Sequence, residues 1–187
     1  MILYIWRHPK PSGAKGLCIG QTNIAVDARK LKRLANKIER FVRLNHLPKV
    51  ILVSPLRRSL AVGQILEKRG FNCHIIPELA EIDFGMWEGR SWEQIAKQEI
   101  DDWCNDFAHF APTDGESLSE LFVRIKYWLS TLSIQERVNG ASLPILAVGH
   151  AGWINAAKMI AEDKSVPTTA NEWPSPVDYL ERSQLNF

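Results

Sequence analysis

Two histidines and several arginines stand where short apolar runs of this chain end. Arg7 and His8 follow Ile2 to Trp6, Arg57 and Arg58 come shortly after Lys49 to Val53, and His150 closes the run from Pro144 to Val148. These residue types suit phosphoryl transfer. That reaction needs a nucleophile, cations for the equatorial oxygens and an acid for the leaving oxygen, because the protein contributes mainly positioning and electrostatics. Arginine suits the clamp, since its planar fork meets phosphate oxygens bidentately. Arg7 and Arg58 are the candidates, with Arg57 beside them at the border of the site. A neutral imidazole can attack phosphorus at physiological pH, and a backbone carbonyl bonded to its other nitrogen would hold His8 in the right tautomer.

Other phosphatase chemistries leave marks that this chain lacks. None of Cys18, Cys73 and Cys104 is followed six residues later by arginine, so a thiolate phosphatase is excluded. There is no G-x-x-x-x-G-K-[ST] loop for nucleotide phosphates. Neither H-E-x-x-H nor a compact Asp/His cluster points to a two-metal hydrolase, and the cysteines have no C-x-x-C spacing for zinc. No metal and no cofactor are expected.

The elements that must position these residues follow from periodicity. Ile2 to Trp6, Lys49 to Val53, His74 to Ile76 and Pro144 to Val148 are short, partly β-branched runs that read as buried strands. Between them, Leu31, Leu34, Ile38, Phe41 and Val42 recur at helical spacing, as do Leu60, Ala61, Ile65 and Leu66. Ser91 with Gln94 and Ser117 with Glu120 fit capping boxes at helix starts. After Ser117, the stripe Leu118, Leu121, Phe122, Ile125, Trp128 and Leu129 predicts a helix packed on the sheet. The alternation predicts an α/β fold, a three-layer α/β/α sandwich with a mostly parallel central sheet and its functional residues at the carboxyl ends of the strands. The proline-punctuated segment 166–187 reads as irregular, with one short strand near Tyr179.

The length of 187 residues fits a single domain, 1–187. Apolar residues at 45% and charged residues at 24% match ordinary globular chains, which argues against disordered, fibrous and membrane classes. The apolar start gives way to Arg7 too soon for a signal peptide or a span, so the expected setting is cytoplasmic with no membrane partner. Net charge is only +2, and the basic cluster of Arg29, Lys30, Lys32, Arg33, Lys37 and Arg40 decorates a helix with an apolar opposite face. No nucleic-acid partner is expected. The partner is a small phosphorylated metabolite, and the chain is expected to be a monomer or homodimer.

Four ordered motifs carry a resemblance. I-W-R-H-P at 5 to 9 is similar to the L-x-R-H-G opening of the histidine phosphatase, or phosphoglycerate mutase-like, superfamily. S-P-L-R-R at 54 to 58 resembles its second arginine motif, L-A-E-I-D-F-G-M-W-E-G at 79 to 89 its acid motif, and V-G-H-A-G at 148 to 152 its second histidine motif. P-T-D-G-E-S at 112 to 117 resembles its prelude to a helix. The resemblance implies a cofactor-independent phosphohistidine mechanism: His8 attacks phosphorus, Glu81 is the proton donor, and Arg7, Arg58 and His150 stabilise the transferring group. R-H-P followed by G-L-C-I-G-Q-T at 16 to 22 is most similar to the α-ribazole phosphatase branch, which removes phosphate from α-ribazole 5′-phosphate in cobalamin assembly.

The compact chain leaves little room for the insertion that covers the site in full mutases, which favours hydrolysis. A phosphoglycerate mutase-type phosphotransferase and a noncatalytic phosphate-binding protein are the alternatives. Gln21 and Thr22 are expected to add phosphate contacts and Ala151 to touch substrate; Trp87 and Trp153, beside the acid and second histidine motifs, could stack on an aromatic leaving group, with Trp87 counted among the substrate contacts and core packing read for most of the seven tryptophans. Pro9 in place of glycine, and Asn155 where related sequences carry arginine, are departures that bear on recognition. His46, His74 and His109 lie outside every motif and receive no function.

Overall fold

A computed structural model describes residues 1–139 and 143–187, with the side chains of 133–142 excluded. The chain forms β1 (Ile2–Arg7), α1 (Ala28–Leu44), β2 (Val50–Val53), α2 (Arg57–Glu67), β3 (Asn72–Ile75), α3 (Lys97–Asn105), α4 (Leu118–Asn139), β4 (Ile145–Gly149), α5 (Ala151–Ala161) and β5 (Arg182–Asn186). The strands make one sheet in the order β3-β2-β4-β1-β5. β1, β2, β3 and β4 run parallel, and only β5 lies antiparallel, against β1. The strand expected near Tyr179 therefore begins a little later, at Arg182, and turns back along the sheet edge.

Alternation along the strands divides the core in two. Leu3, Ile5, Ala147 and Leu185 face a cluster built with Leu121, Phe122 and Ile125 of α4 and Ile154 and Ala157 of α5. Trp6, Ile51, Val53, Leu146 and Val148 face the other way, onto Leu34 and Ile38 of α1 and Val62 and Leu66 of α2. The result is the expected three-layer α/β/α arrangement. A parallel sheet must be covered on both faces, because both faces are apolar.

The two capping boxes differ in outcome. Ser117 Oγ accepts from Glu120 N–H, while the Glu120 carboxylate accepts from Ser117 N–H and Oγ–H, and this box starts the 22-residue helix α4. The box at Ser91 and Gln94 is equally well formed, yet it closes only a single 3₁₀ turn, Trp92–Gln94, and α3 starts beyond it. The cap specifies a turn, but no apolar stripe follows to extend it.

Ile38 lies fully buried where α1 meets the sheet, away from the strand ends. Ile38→Ala should lower unfolding free energy by about 2–5 kcal/mol. Urea denaturation checks this: the midpoint should fall with an unchanged slope, and a wild-type midpoint would show that this helix contributes little.

Candidate active site

β1 and β4 are neighbours with Arg7 paired to Gly149, so the residues that follow each strand emerge side by side. His8 N–H donates to Gly149 O at 3.0 Å, which carries the ladder one residue past the strand. The His8 and His150 rings lie 4.9 Å apart. β2 adjoins β4 and leads, through Ser54, into the first turn of α2, which carries Arg58. One sheet edge thus brings together Arg7, His8, Arg58 and His150.

Hydrogen bonds define the state of the two imidazoles. His8 Nδ1 lies 2.8 Å from Pro9 O, and a carbonyl can only accept, so Nδ1 carries the proton and Nε2 keeps its lone pair. Arg58 Nε–H points at that lone pair, 3.1 Å away, and at His150 Nδ1, 3.2 Å away. His150 therefore holds its proton on Nε2, which is 2.8 Å from Ser54 Oγ. The remaining nitrogens of the Arg58 guanidinium reach the loop after His8, donating to Thr22 O at 2.9 Å and to Gly20 O.

Burial and charge agree with these tautomers. His8 is 5% exposed and His150 not at all. Burial, reinforced by the Arg58 guanidinium, pushes both well below the ordinary histidine range, with only the Pro9 carbonyl working the other way at His8. The arginines are pushed down as well, chiefly by burial, and negative charge at Glu81 offsets part of this in both. Arg7 donates to Val177 O at 2.5 Å and stacks its guanidinium 3.7 Å from the Tyr179 ring centroid. Its Nε is buried without a hydrogen-bond partner.

Glu81 approaches from the loop after β3. Its carboxylate caps the start of α5, accepting from Gly152 N–H at 3.0 Å and Trp153 N–H at 2.9 Å. Gly152 is required there, since a Cβ would sit 2.7 Å from Glu81 Oε1. The segment before it is held by Arg124, which donates to Glu78 O and Ala80 O while paired with Glu116.

Arg7, His8, Arg58 and Glu81 border one cavity of about 450 Å³, which also reaches Ala151 at the first turn of α5, whereas His150 is sealed behind them and does not line it. Its far wall is apolar and aromatic, with Phe84, Trp92, Trp103 and Trp173. The sequence reading missed this wall and placed Trp87 at the substrate, while Trp153 has the core role read for most of the tryptophans. Trp87 is 1% exposed in a separate cluster with Cys18 and Ile95, and Trp153 is core, its Nε1–H given to Glu78 O. Neither lines the cavity. The tryptophans that do lie outside the quoted motifs and reach the cavity only through tertiary packing.

Three further expectations need correction. Arg57 is exposed, outside the cavity, with its backbone N–H on Asn23 Oδ1. The Gln21 side chain bonds Glu81 O, and Thr22 gives its N–H and hydroxyl to Glu88. Their polar groups are used inside the protein. Asn155 is buried and ties Pro174 O and Ser175 O to α5, so it shapes the cavity rim from behind. Tyr179 and Glu88 were not singled out at all. Tyr179 had no local signal, whereas Glu88 sits inside the quoted acid motif.

Among the described residues, no group of three or more His, Cys, Asp or Glu side chains could hold a metal ion. No helix there is long and apolar enough to cross a membrane.

Residues 3–176 match the histidine phosphatase superfamily (branch 1), and the chain belongs to that family. It is 31% identical over 133 residues to the adenosylcobalamin/alpha-ribazole phosphatase of Escherichia coli K12, an alignment covering 69% of this chain and 62% of that protein. The chain thus spans less than two thirds of the length of this relative. The alpha-ribazole phosphatase from Shigella flexneri superposes with a TM-score of 0.75 at 28% identity, covering 100% of this chain and 90% of that one. A mycobacterial glucosyl-3-phosphoglycerate phosphatase, at 24% identity, shares the fold with a TM-score of 0.78 over 99% of this chain and 89% of that one.

The depressed histidines make stability depend on pH. Below about pH 6.5 unfolded chains protonate these imidazoles while the folded protein resists, so the unfolded state binds more protons and stability falls as pH falls. Each histidine contributes up to about 1.4 kcal/mol per pH unit. The stabilisation is therefore complete above pH 6.5 and is lost progressively below it. Thermal melts from pH 7.5 to 5 should show this decline, with a shallower slope in His8→Gln; equal slopes would contradict a folded state that keeps His8 neutral.

Proposed function

We propose that the protein is a phosphomonoesterase that works through a phosphohistidine intermediate, with α-ribazole 5′-phosphate as its leading substrate. The observation that carries this reading is the Arg58 Nε–H held against His8 Nε2, beside an Arg7 whose buried Nε–H has no partner. A buried donor left unpaired costs about 1–3 kcal/mol, and a phosphate oxygen would satisfy it.

In this scheme the dianion enters between Arg7, Arg58 and the start of α5, where the Ala151 N–H is a free end of the helix. His8 Nε2 attacks phosphorus as the bond to the leaving oxygen breaks, and protonated Glu81 supplies the proton to that oxygen. Glu81, now a carboxylate, takes a proton from water as the water attacks phospho-His8. Phosphate leaves, and the His8 lone pair returns. His150, neutral and carrying its proton on Nε2, steadies Arg58 throughout. The reading places the enzyme in the cytoplasm, where small phosphorylated metabolites are held.

The choice of substrate has two supports. Relatives at about 30% identity are named for α-ribazole, and the aromatic wall of Phe84, Trp92, Trp103 and Trp173 suits an aromatic leaving group.

Hydrolysis of p-nitrophenyl phosphate should persist with excess chelator and fall at least about 10³-fold in His8→Ala. Activity that survives this substitution would sink the mechanism. Across sugar phosphates, nucleotides, phosphoglycerates and α-ribazole 5′-phosphate, the last should have the highest kcat/KM. Transfer of phosphate to a second hydroxyl, in place of its release, would make the protein a mutase.

If the wall binds the leaving group, Trp103→Ala should lower kcat/KM for α-ribazole 5′-phosphate roughly 2- to 10-fold, as expected from one aromatic contact. Activity on 3-phosphoglycerate should not change. Equal losses on both substrates would remove the wall from recognition.

A further inference from the structure

Glu88 lies outside the cavity, yet its carboxylate is the most heavily bonded in the chain's neighbourhood of the two histidines. It accepts from the backbone N–H groups of Gly20 at 3.0 Å, Gln21 at 2.6 Å, Thr22 at 2.9 Å and Phe84 at 3.2 Å, and from the Thr22 hydroxyl. Gly20 must approach closely for this, because a Cβ there would stand 2.5 Å from Glu88 Oε1. Three consecutive N–H groups converging on one anion fix a loop far more tightly than neutral turn contacts do.

The other side of the same loop faces Arg58. With the N–H groups of residues 20–22 turned to Glu88, the carbonyls of Gly20 and Thr22 are turned to the guanidinium and accept from it. Arg58 then has its Nε–H left for His8 and His150. The chain of contacts runs without a gap from Glu88 to the two imidazoles. The Glu88 charge also offsets part of the cost of burying Arg58.

We propose that Glu88 is a positioning residue for the reaction: through the 20–22 loop it fixes Arg58, and through Arg58 the complementary tautomers of His8 and His150. The inference rests on reading His8 and Arg58 as the phosphate site.

The test uses the full chain and four variants: Glu88→Ala, Glu88→Gln, Arg58→Ala and the double variant Glu88→Ala/Arg58→Ala. Imidazole ¹⁵N NMR at neutral pH should show wild-type His8 protonated on Nδ1 and His150 on Nε2, with both patterns shifting toward tautomer exchange in the folded Glu88 variants. On p-nitrophenyl phosphate, Glu88→Ala should lose roughly 10- to 100-fold in kcat, the scale of a misplaced catalytic group, with a smaller change in KM. The double variant should be no slower than Arg58→Ala alone.

Wild-type imidazole spectra in a folded Glu88 variant overturn the proposal whatever the kinetics, as do losses that multiply in the double variant. Failure of both Glu88→Ala and Glu88→Gln to fold overturns it in favour of a purely structural staple. The NMR measurement needs no turnover, so an inactive wild type would refute the phosphatase reading while leaving this inference separately decided.

Discussion

A single N–H, on Arg58 Nε, is shared between two imidazoles that are both sealed from water. That arrangement is stable only if both rings present a lone pair to it, so both must be neutral and their protons must sit on the far nitrogens. Pro9 O and Ser54 Oγ lie there to receive them. A buried guanidinium beside two protonated imidazoles would crowd three cations together out of water, and burying each ion costs several kcal/mol. The surroundings of Arg58 decide whether His8 Nε2 keeps a lone pair.

The sheet serves that constraint. Parallel strands with adjacent carboxyl ends let β1 and β4 release His8 and His150 next to one another without any loop having to find its place. The cation comes from the neighbouring β2–α2 connection, and the carboxylate from the loop beyond β3, anchored on α5 by the backbone amides that the first turn of a helix leaves free. Two carboxylates thus do different work. Glu81 binds a helix terminus at the cavity wall, while Glu88 lies outside the cavity and is enclosed by the amides of the 20–22 loop. Pro9 fits the same logic. Its carbonyl is an obligatory acceptor, and its ring fixes the backbone that aims it at His8 Nδ1.

The strands, the helices α1, α2 and α4 and the residues at strand ends were legible in the sequence because each depends on local period, whereas α3 and α5 were not read from it. The alternation of apolar runs with helical stripes yields the three layers, and strand ends in such a fold are where side chains emerge. The antiparallel β5 was legible only as a short strand, since nothing in R-S-Q-L-N states its partner. The placing of Trp87 at the substrate failed for a related reason. Trp87 and Trp153 are near motif residues in sequence, but adjacency along a turn or helix sends neighbouring side chains in different directions. The tryptophans that reach the cavity come from the Trp92 turn, from α3 and from the loop before β5, three segments joined only by packing.

This division between legible and illegible residues follows from how the two halves of the cavity are built. The end bordered by Arg7, His8 and Arg58 is made of short connections from neighbouring strands, so its geometry is inherited from the sheet. The far end is made of segments distant in sequence and joined by tertiary contacts: Trp92 stacks on Trp103 and its N–H bonds Gly16 O, and the 174–175 carbonyls are held by Asn155. The two ends of the cavity are thus fixed by different means, the histidine end by adjacent parallel strands and the aromatic end by contacts between segments distant in sequence.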